Sequence, residues 1–210
     1  MPAPVREVHP LPKFSPSLSD LRERVLFCRR CALWENRTQV VFGEGRVPAD
    51  LMFIGEAPGE VEDQSGRPFV GPAGQLLTKI LESAGIPREE VYITNVVKCR
   101  PPGNRVPTKD EMAACWEWLS AQIGLVQPKI IVTLGNTPTH WLLGRNDGIN
   151  DLRGRFFPWK GGIEIFPMFH PSYLLRNPSS AKGSPKYLTW QDIKAVKERL
   201  SSLRSLTPAS

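Results

Sequence analysis

Four acids, Glu56, Glu60, Glu62 and Asp63, fall within eight positions of the stretch GEAPGEVEDQSGRPFVG at residues 55–71. Carboxylates can work as general acids or bases, ligate a divalent cation, or stabilise a cationic intermediate. The stretch has neither the G-x-G-x-x-G spacing of a dinucleotide fold nor the G-K-[ST] ending of a phosphate loop, and its charge repels phosphate. No histidine lies near it in sequence, which argues against a histidine-assisted metal site. Phe69, close behind the acids, either plugs the core or stacks on a flat ligand.

Two further groups of residues carry chemistry. Cys28 and Cys31 form a C-x2-C pair, and Cys99 and Cys115 follow with 15 residues between them, so all four cysteines of the chain fit one site. Such thiolates suit a four-cysteine zinc site or an iron-sulfur cluster, and spacing alone leaves both open. In FHPSYLLRN, His170, Ser172, two leucines and Arg176 crowd a turn bounded by prolines. An apolar wedge beside a cation can push between stacked bases while holding phosphate; the alternative is a core leucine beside a solvated arginine.

The elements that must position these residues follow from periodicity. LMFIG (51–55), VYITNVV (91–97) and KIIVTLG (129–135) read as buried strands. Between the first two, AGQLLTKILESAGI places Leu76, Leu77, Ile80, Leu81 and Ala84 at helical spacing. Thr108 and Glu111 form a capping-box pair, and Ser184 with Pro185 opens a last helix. An earlier helix is expected to start at Ser15-Pro16 or at Asp20 with Glu23, burying Leu18, Leu21 and Val25. Alternating strands and helices predict a three-layer α/β/α sandwich on a short, mostly parallel sheet, with ligand loops at the carboxyl ends of the strands. The stretch 55–71, NVVKCRPPGNR, LGNTP and FHPSYLLRNP all leave such ends. The expected organisation is a flexible arm at 1–14, one domain at 15–205 and a tail at 206–210.

Composition narrows the partners. The chain has 210 residues, is 40% hydrophobic and carries 27 Lys and Arg against 21 Asp and Glu, a net charge of +6 that suits a polyanion. No apolar run approaches the roughly 20 residues of a membrane span, and the N-terminus lacks an apolar signal core, so the expectation is a cytosolic monomer acting at the nucleoid. No motif for a protein partner is present.

Taken together, GEAPGEVEDQSGRPFVGPAGQLL, YITNVVKCRPPGNRVPT, VTLGN and FHPSYLLR, in that order and with the cysteines, resemble the iron-sulfur family 4 enzymes of the uracil-DNA glycosylase superfamily over residues 18–203. The resemblance implies base-excision repair: hydrolysis of the N-glycosidic bond of deoxyuridine in single- or double-stranded DNA, leaving uracil and an abasic site. A non-catalytic module recognising damaged DNA is the alternative. The resemblance also implies a structural [4Fe-4S] cluster on Cys28, Cys31, Cys99 and Cys115.

By the same resemblance Gly55, Glu56, Ala57, Phe69, Asn95 and His170 surround uracil. Phe69 stacks on the base, Asn95 reads its edge and His170 meets O2. Glu56 positions water or stabilises the sugar cation, and Glu62, hydrogen-bonded to Asn104, is a second catalytic carboxylate. Glu60 and Asp63 are expected to be solvated or structural. Leu174 is the expected wedge, with Ser172 and Arg176 on phosphates. Arg67, Lys98, Arg100, Arg105, Arg153, Arg155 and Lys182 extend the basic track. Two departures stand out: Ala57 replaces the aspartate of better-known branches, and Gly59 replaces a thymine-excluding tyrosine. A branch that is trapped covalently on the abasic sugar has glutamine at the place of Ala57 and an inserted basic segment, both missing here, so turnover is expected.

Overall fold

The computed structural model describes residues 17–205. The expected arm and tail lie outside the described residues. Helix α1 (Leu18–Leu26) is capped by Ser17, whose Oγ accepts the Asp20 N–H at 3.1 Å. The expected start at Ser15-Pro16 lies outside the described residues, and Asp20 sits in the first turn rather than at the cap, because Ser17 already supplies the capping oxygen.

The strands are β1 (Glu44–Gly45), β2 (Leu51–Gly55), β3 (Tyr92–Asn95), β4 (Ile130–Leu134), β5 (Phe157–Pro158) and β6 (Glu164–Met168), in sheet order β1-β3-β2-β4-β6-β5. The inner pairings are parallel, and both short edge strands run antiparallel. Strand β3 is shorter than the expected 91–97, although Val96 and Val97 still donate to the carbonyls of Gly55 and Glu56 as the chain leaves the sheet.

Side chains of β2 alternate between the two faces, as the pleat requires. Met52 and Ile54 pack with Leu21 and Val25 of α1 and with Trp118, Leu119 and Ile123 of α4 (Lys109–Val126). Leu51 and Phe53 pack with Leu77 and Leu81 of α3 (Pro72–Ser83) and with Ile193, Val196 and Leu200 of α8 (Pro185–Ser205). The result is the predicted α/β/α sandwich. The Thr108–Glu111 capping box opens α4, and Ser184 Oγ accepts from Tyr187 N–H at the start of α8.

From β2 the chain goes first to β3 on one side, and β4 then lies on the other side of β2. That reversal opens a crevice at the carboxyl ends of the strands. Its walls are completed by α2 (Glu60–Ser65), α5 (Asn136–Leu143) and α7 (Pro171–Arg176); a four-residue α6 (Ile149–Leu152) follows α5. The sequence reading of 55–71 as a plain loop is corrected by α2, which puts Glu60, Glu62 and Asp63 in the first turn of a helix, where its exposed N–H groups favour negative charge.

Candidate active site

A cavity of roughly 470 Å³ opens in this crevice, within the range of small-ligand pockets. Gly55, Asn95, Leu134 and Met168 end the four parallel strands, and Gly55 and Asn95 are register partners. Asn95 is 1% exposed, and its Oδ1 is the sole buried side-chain polar atom among the described residues without a hydrogen-bond partner. A Cβ on Gly55 would fall 2.4 Å from that oxygen and 2.5 Å from Phe69 Cζ. Only glycine at this position leaves the space between amide and ring open.

Phe69 is held in an unusual backbone conformation, φ 51°. Left-handed backbone is strained for a bulky residue and persists only where its surroundings enforce it. Two contacts do so. Helix α3 abuts Phe69 so closely that a Cβ on Gly74 would lie 1.9 Å from the Phe69 carbonyl. Glu62 Oε1 accepts the N–H groups of Val70 at 3.0 Å and Gly71 at 2.8 Å, fixing the turn just after the ring. Glu62 therefore positions Phe69 and does not bond Asn104, which corrects the expected pair; Asn104 Oδ1 instead accepts from Arg100 Nε at 2.7 Å.

The other acids separate by task. Glu56 lines the cavity and accepts the Thr137 hydroxyl, a partner that the sequence did not single out. Asp63 is buried and takes the Thr38 N–H through both oxygens at 3.0 Å. Glu60 is exposed and lies 3.8 Å from Arg100. The expectation that Asp63 and Glu60 are structural or solvated matches these positions. Ala57 and Gly59 also line the cavity, and Glu62 Oε2 would lie 2.8 Å from a Cβ on Gly59, so the carboxylate occupies the place toward which a side chain there would grow.

His170 caps α7 and faces Phe69, with ring centroids 5.8 Å apart. Its Nδ1 accepts the Ser172 N–H at 3.1 Å and lies 2.8 Å from Ser172 Oγ. With Nδ1 acting as acceptor, the neutral ring carries its proton on Nε2. Burial, reinforced by the Arg176 cation and opposed by Glu62, lowers the His170 pKa to about 4. Ser172 thus orients His170, and both Ser172 and Arg176 line the cavity.

Several of the expected DNA contacts are buried or already have partners within the protein. Leu174 is 1% exposed, turned into the protein, whereas the next residue, Leu175, is 45% exposed. The basic track is largely spoken for: Arg67 pairs with Glu44, Arg105 with Glu111 and Arg153 with Asp192, while Arg155 lies over the Phe157 ring. Lys98 is buried, donating to Thr94 Oγ1 at 2.6 Å and to the Asn95 carbonyl at 2.8 Å. Arg100 bonds Asn104, and Lys182 is exposed.

All four cysteines are free thiols lining a second, small cavity together with Val25, Trp34, Arg37, Lys98 and Trp118. Trp118 Nε1 donates to Cys28 Sγ at 3.2 Å and Arg37 to Cys99 Sγ at 3.3 Å. Burial raises the pKa values of Cys31 and Cys99, and that of Cys115 to about 12. Among the described residues no group of three or more His, Cys, Asp or Glu side chains is gathered so as to hold a metal ion. The shared cavity, the N–H donors on two sulfurs and the nearby cations are nevertheless the surroundings an anionic thiolate-ligated group needs.

At the switch point of this α/β/α sheet the crevice sets an unpaired amide oxygen against an aromatic ring, an arrangement with room for a flat, polar group. Residues 42–194 match the uracil DNA glycosylase superfamily. The chain is 54% identical over 159 residues to a Type-4 uracil-DNA glycosylase of Thermotoga maritima, covering 75% of this chain and 83% of the relative. It is 46% identical over 190 residues to the Type-4 enzyme of Sulfurisphaera tokodaii, covering 87% and 84%. A Type-5 uracil-DNA glycosylase of Thermus thermophilus is 31% identical over 76% of this chain and 82% of its own. The chain belongs to the uracil DNA glycosylase superfamily.

The lowered His170 pKa has a measurable consequence. Between about pH 4 and the ordinary value of 6.5 the unfolded chain binds the proton and the folded one does not, so this group makes stability rise with pH across that window and contributes no slope above it. Denaturant unfolding of wild type and His170→Asn should show the variant losing that segment of the slope, amounting to about 3 kcal/mol at most. Parallel curves for the two proteins from pH 4 to 6.5 would contradict a neutral, buried His170.

Proposed function

We infer that this chain hydrolyses the N-glycosidic bond of deoxyuridine in DNA, the first step of base-excision repair. The observation that carries the reading is the buried, unpartnered Asn95 oxygen opposite Phe69. A base held there by stacking presents its edge to the amide: Oδ1 accepts uracil N3–H and Nδ2 donates to O4. Cytosine offers the reverse pattern and leaves buried groups mispaired, at about 1 to 3 kcal/mol each.

The remaining residues divide the charge that develops as the bond breaks. Uracil departs as an anion with charge at O2, and the Nε2–H of neutral His170 is the donor for it; a placed donor of this kind is commonly worth about 10² to 10³ in rate. The sugar becomes cationic. Glu56, with its carboxylate fixed by Thr137, stabilises that cation or holds the water that attacks it, and thereby carries the load for which Ala57 has no functional group. Glu62 acts at one remove, by holding the Phe69 turn. Ser172 serves His170 first, and Arg176 faces the phosphates.

Cys28, Cys31, Cys99 and Cys115 would hold a [4Fe-4S] cluster, which supplies a four-point cross-link rather than chemistry at the base. The cross-link ties the end of α1 to α4 and to the segment that leaves Asn95, with Arg37 and Trp118 donating to sulfur. Iron and sulfide analysis of the purified protein, with broad visible absorption lost in Cys115→Ser, checks this. A colourless protein that retains only zinc contradicts it.

Incubation with single-stranded and duplex oligonucleotides containing uracil, followed by alkali, should reveal abasic sites on both. Asn95→Asp should lower uracil excision and relax discrimination against cytosine. No alkali-labile sites on either substrate would overturn the proposed activity.

A further inference from the structure

Lys98 is a buried cation without a carboxylate. It is 1% exposed, and none of the ion pairs among the described residues includes it. Its ammonium donates to Thr94 Oγ1 at 2.6 Å and to the Asn95 carbonyl at 2.8 Å, and both acceptors are neutral. A cation taken out of water is costly unless an anion offsets it. The cysteine cavity supplies one. Lys98 lines that cavity with Cys28, Cys31, Cys99 and Cys115, and its backbone hydrogen-bonds Cys115. Four thiolates around a zinc ion or around a [4Fe-4S] core leave a net negative charge in either case.

We propose that Lys98 is a positioning residue for Asn95, held in the interior by the negative charge of the group that the four cysteines bind. The inference rests on Asn95 as the reader of uracil and on a thiolate-bound metal group in the cysteine cavity. Strand β3 ends at Asn95, and beyond it Val96 and Val97 donate to the carbonyls of Gly55 and Glu56. Lys98 reaches back across these two residues, so its ammonium braces the last two residues of the strand from a position next to Cys99. Thr94 is fixed in turn, since its hydroxyl donates at 2.9 Å to the Phe42 carbonyl, which also accepts from Gln122 Nε2 at 2.8 Å. An amide that reads a base must be placed closely, because a small displacement forfeits its hydrogen bonds. Asn95 Oδ1 has no partner within the protein, so its aim depends on the backbone that carries it. Lys98 is not part of the base cavity's wall, and its loss should loosen the amide without altering that wall.

The full, metal-containing chain tests this through Lys98→Met, which keeps the reach of the side chain and removes its charge and N–H groups. Calorimetric titration with free uracil should give an affinity about tenfold weaker than wild type, while affinity for DNA carrying a tetrahydrofuran abasic analogue, which presents no base, stays within about twofold. The variant should also release its metal to a chelator about fivefold faster or more, having lost the cation beside the thiolates. A lysine with a merely structural role would weaken both ligands alike or neither. Thr94→Val is the second variant, for the case that Lys98→Met assembles no metal site: it keeps the ammonium and the cysteines and leaves the Phe42 carbonyl to Gln122. It should hold as much metal as wild type and bind uracil about threefold or more weaker, with the abasic analogue unaffected. Unchanged uracil affinity in either metal-loaded variant, an equal loss on uracil and abasic DNA, or metal release at the wild-type rate in Lys98→Met would overturn the assignment. Wild type that binds no uracil or holds no metal would overturn it as well. Failure of excision with uracil still bound would sink the proposed activity alone.

Discussion

A buried amide oxygen with no partner costs on the order of 1 to 3 kcal/mol, and the structure around Asn95 keeps that cost in place. Gly55 leaves the gap into which the oxygen faces. Gly74 lets α3 approach the Phe69 carbonyl, and Glu62 ties the turn behind it, so the ring stands across that gap in a backbone conformation it would not choose alone. Three elements, β2, β3 and α3, are thus arranged for a ligand that the protein itself does not supply. The ligand must bring an N–H donor and a flat face, which uracil does.

Charge follows the same logic. The acids of 56–63 look misplaced in a basic, DNA-directed protein until their partners are seen. Asp63 is consumed by the Thr38 backbone, Glu62 by the Phe69 turn, and Glu56 is the one whose carboxylate lines the cavity while fixed by a hydroxyl. The same cavity is lined by a histidine kept neutral by burial, which in the proposed reaction would donate to the leaving anion without placing a full cation beside the cationic sugar. Lys98 links the two cavities, since its ammonium donates to the Asn95 carbonyl while its side chain also lines the cysteine cavity.

Much of this was legible in the sequence because it is local or periodic. The LMFIG strand and the Thr108 capping box follow from adjacent residue types, the four cysteines could be grouped because none is left over, and the order of the long motifs resembled one family. What escaped depends on three-dimensional register. A six-residue helix at 60–65 has too few turns to show a period. Which of two adjacent leucines points outward depends on how α7 is rotated against its neighbours, which the string LL does not encode. Thr137 bonds a residue 81 positions away, and Arg67 and Arg153 of the basic track pair with acids 23 and 39 positions away.

The central claim is that the base occupies the gap between the Asn95 amide and the Phe69 ring. Calorimetric titration of free uracil into wild type and Gly55→Ala, both verified as folded and iron-replete, tests it most directly, because the added methyl enters that gap between Asn95 Oδ1 and the Phe69 ring. The account predicts measurable uracil binding by wild type and at least a tenfold weaker affinity in the variant, about 1.4 kcal/mol. Equal affinity in the two proteins would place the base elsewhere and contradict it.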